Sequence, residues 1–234
     1  PVSSRALTAL DALYERLSRW SDLADNLQVR LEASSSPEEQ IALMLRLARL
    51  REEKMSELET AIDIYRQVLA REGTNEDALN ALERLLLQPA YAVTVAEILE
   101  PVYRESGSWE RLIATHETQV QYAQDAQRKV SLLHRIAELH ENAMSNTQAA
   151  FQTLARALVE DPANEETVGG LERLARDLNS FAELTSVYEA RIPDAQAIEL
   201  KLELHRRAAV VYEEQLGSLE GAIGHYRNML ELDP

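Results

Sequence analysis

Residues 136–162 read IAELHENAMSNTQAAFQTLARALVEDP, and the same outline returns as LARLREEKMSELETAIDIYRQVLAREG at 47–73 and AAVVYEEQLGSLEGAIGHYRNMLELDP at 208–234. Ala48, Ala137 and Ala209 stand at one constant spacing before Ala61, Ala150 and Ala222. A large apolar residue follows the second alanine at +4 (Tyr65, Leu154, Tyr226), a leucine at +8 (Leu69, Leu158, Leu230) and a breaker at +12 (Gly73, Pro162, Pro234). Two antiparallel helices approach closely only where side chains are small, so the alanines mark helix crossings and the larger residues fill the flanks.

Between these strong units lies a weaker one. Tyr14, Trp20 and Leu23, then Tyr103, Trp109 and Leu112, then Ala175, Phe181 and Leu184, share steps of 6 and 3 residues. Recurrence in register makes Trp20, Trp109 and Phe181 features of helix packing rather than isolated partner anchors. Helix starts are marked by Ser36-Pro37-Glu38-Glu39 and by Ser180 with Glu183, both in capping-box order. Gly73 and Gly107 have the placement of C-terminal caps. Ile198, Leu202, Ala209, Tyr212 and Leu216 fall on one predicted helical face. About thirteen helices and no strand are expected.

The spacing of alanines, aromatic residue and terminal breaker resembles the tetratricopeptide repeat, with the turn inside each strong unit one residue longer than usual for that family. Strong and weak units alternate as double repeats, roughly 1–73, 74–162 and 163–234, similar to those of large bacterial multi-repeat proteins. The resemblance implies an all-α, right-handed α-solenoid of helix pairs over 1–234. Because the first residue is Pro1, the chain is expected to be a piece of a longer one. It further implies that the first helix of each pair lines a concave groove holding an extended peptide or a partner helix. The face beside the alanine stripe carries Leu45, Arg49 and Glu52, then His134, Glu138 and Glu141, then Arg206, Val210 and Glu213; these are the candidate partner-binding residues.

The chemistry of an active site is not visible. There is no cysteine, no HExxH, no glycine-rich phosphate loop and no calcium loop among 234 residues with 7 glycines. His134 and His140, six apart on one helix, point to different faces. Glu52-Glu53, Glu165-Glu166 and Glu213-Glu214 are adjacent carboxylates that diverge by about 100° on a helix and read as solvated faces. No metal or cofactor is called for, and the chain is expected not to be an enzyme. Its 40 acidic against 24 basic residues, net charge −16, oppose nucleic-acid and anionic-membrane binding and favour basic partners. No apolar run reaches a membrane span, and a soluble, cytoplasmic location is expected ahead of a secreted one. A protein-interaction scaffold is the reading. Its rivals are a non-catalytic arm presenting substrates to a larger enzyme, and an architectural module that self-associates end to end through an uncapped Pro234.

The repeat is uneven. Ala61 to Ala150 is 89 residues, whereas Ala150 to Ala222 is 72, leaving 17 extra. Leu82-Glu83-Arg84-Leu85 and Leu171-Glu172-Arg173-Leu174 still lie equally far past their alanines, so the insertion falls between Arg84 and Trp109. It predicts an additional helix over Ala90–Glu105, started by Pro89 and bent or interrupted by Pro101, packed as a three-helix unit or turning the stack, with a separate pocket at the joint. Gly169-Gly170, inside a predicted helix, marks either a close helix contact or a weak point.

Overall fold

Every alanine of the repeat sits in a helix and is buried: Ala48, Ala61, Ala137, Ala150, Ala209 and Ala222. The computed structural model describes residues 4–233; Pro1 and Pro234, and with Pro234 the third breaker and the expected uncapped end, lie outside the described residues. Thirteen α-helices and no strand are present among the described residues. They are α1 Ser4–Arg16, α2 Trp20–Ala33, α3 Pro37–Leu50, α4 Leu58–Arg71, α5 Glu76–Leu86, α6 Ala92–Ser106, α7 Trp109–Tyr122, α8 Ala126–Glu138, α9 Thr147–Glu160, α10 Glu165–Leu178, α11 Phe181–Glu189, α12 Ile198–Glu214 and α13 Leu219–Leu232. The strong units are α3/α4, α8/α9 and α12/α13.

The described residues divide into two compact units, the first ending at Ser108 and the second starting at Trp109. Within each, every helix packs on the next in chain order, α1 to α6 and α7 to α13. In the second unit one core joins Phe151, Leu154 and Leu158 of α9 to Val168, Leu171 and Leu174 of α10 and to Leu204 and Ala208 of α12. Val120, Leu132, Leu133, Ile136 and Ala157 form a second cluster nearer α7.

In the first two strong units the longer turn is a π-helical step. Residues Arg51–Met55 and Leu139–Ala143 continue α3 and α8 as π-helix. Afterwards the N–H groups of Glu57, Asn146 and Ser218 donate to the carbonyls of Arg51, His140 and Tyr212, six residues back. In the weak units Arg19, Ser108 and Ser180 donate to Tyr14, Tyr103 and Ala175, five residues back, which is the Schellman closure. Each turn passes through one left-handed residue: Ser56, Ser145 and Gly217 in the strong units, Ser18, Gly107 and Asn179 in the weak. One inserted residue per strong turn thus leaves the same closing device one place later.

Caps differ in part from expectation. Ser36 accepts from the Glu39 N–H at 3.3 Å, but the Glu39 carboxylate takes the Ser34 hydroxyl rather than returning to Ser36. Ser180 makes no side-chain cap; its own N–H, which a capping box would offer to Glu183, is used in closing α10, and Glu183 accepts from Gln148 instead. Gly107 is the left-handed cap of α6, whereas Gly73 lies in the loop after Glu72, with no positive φ. The side chains of Asn75 and Asn164, which cap α5 and α10 at the same repeat position, supply the stronger signal there. On α12 the buried face is Leu204, His205, Ala208, Ala209 and Val211; Ile198 and Leu216, placed on the apolar stripe from sequence, are exposed.

The additional helix is α6. It begins at Ala92, three residues after Pro89, and runs to Ser106 without interruption at Pro101. It packs on both α4 and α5, making a three-helix unit. Pro101 brings no N–H for the Glu97 carbonyl one turn back, and both residues face a shallow cleft of about 460 Å³ between α4 and α6, lined also by Arg66, Leu69 and Val102.

Candidate interaction surface

Of the nine candidate residues, Arg49, Glu52, His134 and Glu141 tie neighbouring helices together. Glu52 accepts from the Tyr65 hydroxyl at 2.7 Å and from Arg84 of α5 at 3.1 Å; Glu141 accepts from Arg173 of α10 at 2.8 Å. Glu52 and Glu141 occupy the same repeat position, as do Arg84 and Arg173, so one ion pair is built twice. Arg173 holds the Glu141 carboxyl below its ordinary range. Burial and the Glu52 carboxylate push the Tyr65 phenol up. Glu52 is therefore no solvated carboxylate. Arg49 meets Asp77 at 2.8 Å, and His134 bonds Thr167 at 2.7 Å through Nε2 while its Nδ1 lies 3.6 Å from Glu166. Leu45 is buried, Glu138 is exposed, and Glu213 accepts from the Tyr226 hydroxyl at 3.3 Å.

Arg49, Arg206 and Val210 border clefts. In the first unit Glu15, Trp20, Leu23, Arg46, Arg49, Leu50, Glu53 and Lys54 line a cleft of about 320 Å³ between α1, α2 and α3. In the second, Phe181, Leu184, Arg206, Arg207, Val210, Val211, Glu214 and Gln215, with Glu172 and Arg176, line one of about 310 Å³ between α10, α11 and α12. The shift in numbering that carries Ala61 onto Ala222 also carries every lining residue of the first cleft onto a lining residue of the second. Trp20 becomes Phe181, Leu23 becomes Leu184, Arg46 becomes Arg207 and Arg49 becomes Val210. Trp20 and Phe181 are half-buried, with one face in the helix packing and one toward the cleft; Lys54 lies over the Trp20 ring at 5.8 Å.

An ion pair beneath each cleft is also repeated. Asp11 of α1 accepts from Arg46 at 2.7 Å, and Glu172 of α10 accepts from Arg207 at 3.2 Å. Arg30 and Asn26 complete the partners of buried Asp11, while Arg207 reaches Glu165 and Glu203 as well. These arginines are held by the scaffold, which fixes the cleft walls. Sequence reasoning overlooked both repeated pairs. The signal was the recurrence of acid and arginine at one and the same separation, Asp11 to Arg46 and Glu172 to Arg207.

A polar cluster closes α13 onto the second unit. His205 and His225 share one hydrogen between Nδ1 atoms 2.8 Å apart, and Glu189 accepts from the Tyr212 hydroxyl at 2.8 Å and lies 3.2 Å from His225 Nε2. Burial and then His225 lower the His205 pKa, against the pull of Glu189. Among the described residues no group of three or more His, Asp or Glu side chains is placed to hold a metal ion. No described helix is long and apolar enough to cross a membrane.

The internal repetition of helices, turns, ion pairs and clefts defines the chain as a helical-repeat protein. No known family model matches it, and no curated protein matches it by sequence. Among solved structures, a tetratricopeptide repeat protein from Parabacteroides merdae is similar over 98% of this chain and 80% of its own, at 14% identity and a TM-score of 0.32.

Proposed function

We propose that the chain is a tetratricopeptide-like protein-interaction module, in which the clefts beside Trp20 and Phe181 receive apolar side chains of an extended or helical partner segment. The observation that supports this is the recurrence of the same repeat positions around a cleft in both units. Such a cleft has an apolar floor of an aromatic ring and two aliphatic side chains, with a rim of both charge signs, the arrangement of an anchor site inside a polar border. Of the candidates read from sequence, Arg49, Arg206 and Val210 belong to this surface, whereas Glu52, Glu141 and His134 serve the joints between helices. The overall charge of −16 draws in partners with basic segments, and salt weakens that encounter.

The test selects binding peptides from a randomised displayed library on the intact chain, then measures their affinity for Trp20→Ala and Phe181→Ala. Each substitution is expected to weaken the peptides from its cleft about tenfold. Val159→Ala, exposed and outside both clefts, serves as the control. Undiminished affinity in both cleft variants moves the binding surface elsewhere.

A further inference from the structure

Helix α6 carries two rows of side chains fit for packing, and one of them is used within the protein. Ala92, Val95, Ala96, Leu99 and Tyr103 are buried. A second row, Thr94, Glu97, Ile98, Pro101, Val102 and Glu105, advances by the same steps along the helix and lines the cleft against α4. Ile98 and Val102 are half-buried and Pro101 is exposed, with Leu69 and Ala70 of α4 lining the other side. At about 460 Å³ this cleft is larger than those beside Trp20 and Phe181, of about 320 and 310 Å³. One wall is the inserted helix, so the cleft is no copy of either.

Its uncompensated charge has one sign. Arg66, the cation of the lining, is paired with Asp63 at 2.8 Å, which leaves the carboxylates of Glu97 and Glu105. These two stand eight residues apart on α6, about 12 Å, with Pro101 midway. Pro101 supplies no N–H to the Glu97 carbonyl, so that end of the row offers a carbonyl as well as a carboxylate to an incoming donor. Along the cleft the row therefore runs acid, apolar, acid.

We infer that this cleft is a second docking surface, whose occupant is an amphipathic helix of a partner protein with two Lys or Arg residues seven or eight positions apart and an apolar side chain midway. The apolar side chain enters between Leu69, Ile98 and Val102, and the two cations meet Glu97 and Glu105. A helix suits the place because a ridge of side chains three and four apart packs into the groove beside a row of the same pitch. Neither Trp20 nor Phe181 takes part, so this surface and the clefts of the proposed binding function can fail separately.

The test selects binders from a displayed library of helical peptides, randomised along one face, on the intact chain, and measures them by fluorescence anisotropy against variants. Ala70→Lys fills the cleft with bulk and with charge that repels a cation; Ala70 is exposed, and circular dichroism verifies folding. Thr94→Lys, exposed on the α6 side, replaces it should the first misfold. Val159→Lys, exposed at the repeat position of Ala70 and outside the cleft, is the control. A class of peptides is expected to lose affinity about tenfold on Ala70→Lys while keeping it on Val159→Lys and Trp20→Ala. Those peptides carry the basic pair at the stated spacing, bind less tightly as salt rises, and weaken about fivefold when Glu97→Gln and Glu105→Gln are combined. No peptide sensitive to Ala70→Lys, or sensitive peptides without the basic pair, overturns the proposal. So does undiminished affinity when proline is placed mid-peptide, which would make the bound segment extended.

Discussion

At the scale of single residues, the tightest tolerances lie where helices cross, because a close-packed interior resists even one added methylene. Ala137 is buried in the core joining α8, α9 and α10, as the recurring alanine spacing required. Ala137→Leu is expected to overpack it and cost about 1–3 kcal/mol in a urea melt; an unchanged midpoint would remove it from the crossing. Glu52 reads as one of two ordinary adjacent acids, because its partner Arg84 sits two helices further along the chain and no local rule connects them. The His205–His225 pair was equally hidden. A lowered His205 pKa means that the unfolded chain takes up a proton first as pH falls below the ordinary 6.5, while the folded chain resists it. The stabilisation is complete above that value and declines below it. The denaturation midpoint is expected to drop between about pH 7.5 and 5.5, and His205→Gln to flatten that part of the profile. A variant with the parent's slope would place the titration elsewhere.

At the scale of elements, the number of helices, the alternation of strong and weak pairs and the insertion that became α6 were all visible, because they rest on spacing. What spacing withholds is how a turn closes. A π-helical step and a serine in the left-handed region leave no compositional mark; Ser56 and Ser145 do what Gly217 does in the third strong unit. Pro101 does not interrupt α6, which continues past it, with the missing donor toward a cleft instead of a packed neighbour. Gly169 and Gly170 separate into two cases. A Cβ on Gly170 would lie 2.6 Å from Cδ1 of Leu154, so this glycine lets α10 approach α9; a Cβ on Gly169 meets nothing within 4 Å. Gly169→Ala is expected to raise stability by about 0.8–1 kcal/mol through helix propensity alone. Gly170→Ala gains the same propensity but displaces Leu154, so its thermal midpoint should fall below that of Gly169→Ala. The opposite order would reverse the roles assigned to the two positions.

At the scale of the whole molecule, a repeat array makes its contacts between neighbours in sequence, and stability accumulates locally rather than through one shared core. The second unit contains its own core from α8 to α12 and its own repeated ion pairs, Glu141 with Arg173 and Glu172 with Arg207. Its first helix, α7, is joined to α8, with Ile113 and Val120 in the cluster formed by Leu132, Leu133, Ile136 and Ala157. Residues 109–234 expressed alone are therefore expected to fold, with a helical far-ultraviolet spectrum and a single cooperative urea transition whose slope is smaller than that of the whole chain, in proportion to the surface it exposes. A broad, non-cooperative transition, or a spectrum without helix, would mean that the unit depends on α1–α6 for its stability. The intact chain supplies the comparison: if the units unfold independently, its melt resolves into two steps, one of which coincides with that of the fragment.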